Sequence, residues 1–212
     1  AKEADAPVVQ FDYQSQPRAA LGYAFGLLLG AVYRMGLIRD YTEDIAEAAT
    51  AMEAWQEEIG AQVATSDNPA KQLAARIRGN LPVIYGAGFL AGAANRWKTQ
   101  FNENAKSWAS FEVLPELDHN AVVGFGIPEV MRQHAAVMML RSASDPPRIQ
   151  RRSSVTGELL QREGVTAQEI WGRGESKLSQ MLSLIHFGDY VSFYVAMLNG
   201  VDPTPVEPIA FL

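Results

Sequence analysis

From Asn80 onward the chain alternates between two hydrophobic periods, and that alternation restricts its fold more than any other feature. Short apolar runs read as strands at Leu81–Tyr85, about Ser110–Leu114, about His134–Leu140 and about Val165–Trp171. Between them apolar residues recur at helical spacing. Phe89, Ala93, Trp97 and Phe101 lie four apart, a short helix begins at His119, and a basic helix covers about Pro147–Glu163. A long apolar helix over about Lys177–Leu198 is ended by Asn199-Gly200. Strands alternating with helices imply an α/β fold, a parallel sheet covered on both faces.

The N-terminal part has a different texture. Residues 1–16 are mixed and polar and read as a linker, and Pro17 suits the first position of a helix that continues through Leu21, Phe25, Leu28, Leu29 and Val32. Gly22, Gly26 and Gly30 form one stripe on it, which points to close helix packing rather than ligand contact. Asp40 or Thr42 caps a second helix, with Glu43 and Asp44 in its first turn, where the helix dipole favours carboxylates. The run Thr65-Ser66-Asp67-Asn68-Pro69 breaks the pattern before a short helix at about Pro69–Arg78. The expected division is a linker and helical extension over 1–66, then a domain over 67–212, with the two leading helices crossing to a neighbouring domain.

Composition excludes several functions. The 212 residues contain no cysteine, so disulfides, thiolate nucleophiles and cysteine-bound metals are ruled out, and a reducing cytoplasm fits. The formal charge is −6, whereas nucleic-acid binders present a basic face. Arg148, Arg151 and Arg152 make the one basic cluster and read as a solvated helix face. No segment reaches the roughly 18 uninterrupted apolar residues of a membrane span. His134 and His186 have no ligand partner at metal-site spacing and read as core or supporting residues. Trp55, Trp97, Trp108 and Trp171 read as packing residues, and Glu43, Glu47, Glu57 and Glu58 as a solvated helical face.

Two features carry chemistry. Gly86-Ala87-Gly88, with Gly92 beyond, makes a tight strand–turn–helix cradle, equally consistent with plain helix–strand packing. It is not the dinucleotide fingerprint, because position 91 is alanine, and so a nucleotide-dependent oxidoreductase ranks low. The second feature is Phe101-Asn102-Glu103-Asn104-Ala105-Lys106, followed by Pro115-Glu116-Leu117-Asp118-His119-Asn120. A carboxylate and an imidazole facing one crevice suit proton transfer on a sugar. Taken by themselves, a helix-end glutamate and a helix-capping histidine are equally ordinary surface residues.

FNENAK, PELDHNAVVGF and HFGDYVSFYVAMLNGVDPTPVEPI, in that order, resemble the bacterial and archaeal bifunctional phosphoglucose/phosphomannose isomerases of the sugar isomerase (SIS) superfamily. The likeness runs from about Gln16 to the C-terminus. It implies a three-layer α/β/α SIS domain, two such domains per subunit, and a homodimer with composite active sites. It also implies metal-independent, cofactor-free interconversion of glucose 6-phosphate or mannose 6-phosphate with fructose 6-phosphate. On that resemblance, Glu103 is the base moving a proton between C1 and C2. His119 is the ring-opening residue, supplied by the opposite subunit. Arg18, in Gln16-Pro17-Arg18, is the arginine that stabilises the enediolate.

The chain departs from that family in two ways. Nothing in it resembles the family's Ser/Thr-rich phosphate loop, the nearest hydroxyl cluster being Ser153-Ser154-Val155-Thr156 in a helical, arginine-rich context. The family's C-terminal active-site lysine has no counterpart before Leu212. The expectation is therefore a fragment lacking the phosphate-binding first SIS domain. The alternative is a non-catalytic SIS module that binds sugar phosphates or assembles with a partner.

Overall fold

A computed structural model describes residues 8–212, which divide between Asp40 and Tyr41 into two compact units. In the first, a 3₁₀ turn at Pro17–Ala20 leads into α1 (Leu21–Arg34). Phe11 and Tyr13 stack on Tyr23, with ring centroids 5.5 and 4.6 Å away. Helix α1 buries none of its residues. Among the described residues, a Cβ at Gly22, Gly26 or Gly30 would meet nothing within 4 Å.

The second unit contains α2 (Thr42–Ile59), α3 (Pro69–Ile77), β1 (Leu81–Ala87), α4 (Ala91–Glu103), β2 (Ser110–Leu114) and α5 (Val130–His134). It continues with β3 (Ala135–Arg141), α6 (Pro147–Arg162), β4 (Ala167–Trp171), α7 (Lys177–Asn199) and α8 (Glu207–Phe211). The strands form one parallel sheet in the order β2-β1-β3-β4. The chain thus leaves β1 in one direction and β3 in the other. Right-handed crossovers then put α4 and α6 on opposite faces of the sheet.

Side chains alternate across the strands accordingly. Ile84, Met138, Leu140 and Ile170 pack with Trp97 and Phe101 of α4 and with Leu184, Phe187 and Val191 of α7. Tyr85, Ala87, Val137 and Met139 face the other way, onto Leu117 and Leu160. Helix α4 approaches β1 closely at Gly86, where a Cβ would lie 2.7 Å from the Leu90 carbonyl oxygen. The Trp97 indole lies on Gly188 of α7, where a Cβ would stand 2.3 Å from the ring, and its Nε1–H donates to the Leu184 carbonyl at 2.8 Å. Helix α2 packs along α7, with Trp55 stacked 4.6 Å from Phe187 and the Tyr194 hydroxyl donating to the Ile59 carbonyl at 2.6 Å.

Local signals explain the helix ends. The Asn68 side chain caps α3 by accepting from the Lys71 N–H at 2.9 Å, and Ser176 caps α7 by accepting from Ser179 at 3.1 Å. Gly200 ends α7 with φ +68°, a conformation glycine adopts without strain. Helix α7 is long and apolar enough to cross a membrane, but half of its most apolar stretch is buried inside this unit as its central helix. His119 closes a 3₁₀ turn, Glu116–His119, rather than opening a helix, and His134 is the last residue of α5 rather than the first of a strand. Gly86 and Ala87 belong to β1, leaving only Gly88, at φ +50°, to make the turn.

Candidate active site

Glu103 is placed by the crossover that starts at Gly88. Helix α4 begins at the C-terminal edge of the sheet, and its 13 residues carry the chain about 20 Å back to the opposite edge. Glu103 is its last residue, half-buried on the wall of a groove of about 430 Å³. The other walls come from Asn102, Lys106, Ser107 and Trp108 and from Val206, Pro208 and Ile209 of the C-terminal tail. Two of the sequence motifs, FNENAK and VDPTPVEPI, therefore meet here.

The residues around Glu103 are held in place. Asn102 Nδ2 donates to the Ser107 carbonyl at 2.9 Å, and Asn104 Nδ2 donates to Ser192 Oγ of α7 at 3.0 Å. Phe101 and Ala105 are buried, Asn199 Nδ2 reaches the Ala105 carbonyl at 3.4 Å, and the Ser107 N–H donates to the Phe101 carbonyl at 3.1 Å. Lys106 has a left-handed backbone, φ +52°. Its ammonium donates to the Glu103 carbonyl and to those of Pro203 and Pro205, the last two at 3.2 and 2.6 Å.

His119 lies at the other edge of the sheet, past the C-terminal end of β2. Its turn is anchored on either side: Leu117 is fully buried, and Asp118 accepts from Arg152 Nη1 at 2.9 Å and from the Thr156 hydroxyl at 3.0 Å. His119 itself is exposed. The strand between them, β2, has five residues and spans about 16 Å, so one chain holds Glu103 and His119 at opposite edges. Arg18 is half-buried in the 3₁₀ turn of the first unit.

Other residues take roles their type did not announce. Trp55 and Trp97 are core residues as expected, but Trp108 is 86% exposed beside the Glu103 groove and Trp171 is 45% exposed. Position explains both: Trp108 sits in a loop, and Trp171 ends edge strand β4, where the Arg141 guanidinium lies 4.7 Å from its ring. Glu47 and Glu58 also act as anchors, Glu58 while remaining exposed to solvent as expected. Glu47 accepts from the N–H groups of Glu175 and Ser176 at the start of α7, and hydrogen bonds from Ser176 and Glu175 hold its carboxyl below the usual range. Glu58 accepts two hydrogen bonds from Arg173 at 2.6 Å, and they lower its pKa in the same way.

The hydroxyls of Ser153 and Ser154 donate to carbonyls one turn back in α6 and that of Thr156 is engaged with Asp118, so this cluster is not arranged as a phosphate cradle. Arg148, Arg151 and Arg152 are exposed on the same helix. Burial pushes the His186 imidazole below its ordinary pKa, opposed by Asp189. Asp189 is pushed upward by burial and held back by Arg96 and Gln100, which donate to it at 2.8 and 2.9 Å. Among the described residues, no three His, Asp or Glu side chains are grouped to hold a metal ion.

Residues 66–212 match the family described as the bacterial phospho-glucose isomerase C-terminal SIS domain. The bifunctional phosphoglucose/phosphomannose isomerase of Caldicellulosiruptor bescii is 39% identical over 198 residues, covering 93% of this chain and 58% of that protein. The enzyme of the same name from Aquifex aeolicus is 34% identical over 209 residues, covering 99% of this chain and 61% of that protein. The chain thus spans about three-fifths of the length of these relatives. Among solved structures, a glucose-6-phosphate isomerase like protein from Thermus thermophilus superposes with a TM-score of 0.63 at 22% identity, covering 82% of this chain and 55% of that one. Glucosamine-6-phosphate deaminase from Thermotoga maritima superposes with a TM-score of 0.61 at 13% identity, covering 92% of this chain and 56% of that one. These last two likenesses establish the fold, a parallel-sheet SIS domain. By its matched residues and its relatives, the chain belongs to the bacterial phosphoglucose isomerase C-terminal SIS domain family.

Proposed function

We propose that this chain supplies the proton-transferring part of a sugar-phosphate aldose–ketose isomerase acting between glucose 6-phosphate or mannose 6-phosphate and fructose 6-phosphate. The observation that carries this reading is Glu103, a carboxylate on a groove wall whose neighbours on both sides are fixed by α7 and the C-terminal tail. A glutamate carboxylate can take a carbon-bound proton once it is aimed. In this reading it removes the proton from C2 of the aldose and returns it to C1, through an enediolate. The reading assigns to the guanidinium of Arg18 the balancing of the negative charge that develops on the enediolate oxygens. The His119 imidazole can hand a proton to the ring oxygen and open the sugar.

Because one chain sets Glu103 and His119 at opposite sheet edges, the reading requires two copies, with the second copy's His119 completing the site. A two-fold dimer supplies this arrangement twice. The Ser153 and Ser154 hydroxyls are turned onto their own helix, so the reading assigns phosphate binding to a companion SIS domain.

The test is Glu103→Gln in the full-length protein that carries this chain, assayed with fructose 6-phosphate. Loss of about 10²–10⁴-fold in kcat is expected, with KM little changed and the fold intact by circular dichroism. Isomerisation at near-normal rate would instead remove Glu103 from the mechanism.

A further inference from the structure

The two motifs that meet at Glu103 are joined by the side chain of Lys106. Lys106 has three N–H donors on its ammonium, and the structure gives it three acceptors: the carbonyls of Glu103, Pro203 and Pro205. One acceptor belongs to the last residue of α4 and two belong to the segment that follows α7. Asp202 begins the turn on the tail side, accepting from the Thr204 N–H at 2.8 Å, and Thr204 and Lys106 both hold its carboxyl below the usual range, Thr204 more strongly.

Residue 106 occupies a left-handed backbone position, where glycine or asparagine fits with least strain. The lysine there gives no advantage to the backbone, and its side chain makes the three bonds. The aliphatic stem spans from the helix end to the tail, and the charge complements the carbonyl-rich C-terminus of α4. The segment it holds leads directly into Val206, Pro208 and Ile209, which form the far wall of the Glu103 groove.

We infer that Lys106 is a positioning residue. Its ammonium fixes the Glu103 backbone and the 203–209 wall relative to each other, so that the carboxylate faces a groove of set width. It has no role in proton transfer. This inference rests on the reading of Glu103 as the base.

The test uses the full-length protein with Lys106→Met and Lys106→Arg. Removing the donors is expected to lower kcat for fructose 6-phosphate about 10- to 100-fold, the scale on which loss of alignment acts. Amide hydrogen exchange over 200–209 should accelerate together with that loss. The arginine variant keeps charge and donors and should fall between Lys106→Met and the unaltered protein in both readouts. If Lys106→Met fails to fold, Lys106→Arg decides alone: unchanged kcat or unchanged exchange over 200–209 overturns the inference. In a folded Lys106→Met protein, kcat within about twofold of normal overturns it, as does a kcat loss without faster exchange in the tail. Glu103→Gln measured in parallel separates the two ideas. If that variant keeps turnover, the base assignment falls, and the exchange data still report on the staple.

Discussion

The two edges of the sheet are built differently. At the opening edge, Glu103 sits in a segment secured from three directions: by the buried Phe101 and Ala105, by Asn104 and Asn199 bonding with α7 and its end, and by Lys106 on the tail. At the closing edge, His119 follows a turn held by one buried leucine and one aspartate, and beyond it Val123, Ile127 and Val130 are all exposed. One chain therefore finishes the setting of the carboxylate, whereas the imidazole is presented on a surface. The proposed site shared between two copies calls for that contrast: each copy would pre-arrange its own Glu103 and offer its His119 outward.

The contrast can be strained at several points. The largest effect is expected at Gly188, where any Cβ collides with the Trp97 ring that carries α4. Gly188→Val should destabilise the protein by about 3 kcal/mol or more, because a packed core resists added volume. Thermal unfolding should show this, with the loss of Glu103-dependent turnover following from a displaced α4. A smaller effect is expected at Asp118, which holds the His119 turn to α6 by two hydrogen bonds. Asp118→Ala should cost about 1–2 kcal/mol while lowering kcat/KM more than stability alone explains. Arg152→Ala, which removes only the exposed half of that anchor, should cost less than about 1 kcal/mol. If Asp118→Ala left kcat/KM unchanged, the turn would not be what places His119.

Much of this architecture was legible in the chain itself. Strand β2 has the bounds its apolar run indicates, and the long helix ends at Gly200, where a left-handed residue is required. Periodicity reports which residues turn inward within an element, and so it locates Ile84, Trp97 and Phe101 in the core. It is silent on contacts between residues far apart in sequence. Lys106 and Pro205 are 99 positions apart, and Glu47 and Ser176 are 129 apart, so neither the Lys106 link nor the Glu47 contact at the start of α7 has a local signature. Residue type misleads where position overrules it, as at Trp108 in its loop. The candidate base was found through its motif, while the setting that holds it became visible only once the tail had been placed beside it.

Central to the proposed mechanism is that Glu103 and His119 come from different copies to one hexose site. Co-expression of differently tagged Glu103→Gln and His119→Ala full-length chains, followed by isolation of the mixed dimers, tests this directly. Each single variant should be inactive as a homodimer. A mixed dimer should regain one complete site of two, about half the activity of the unaltered dimer. Mixed dimers that form and stay as inactive as their parents would contradict a site shared across the interface.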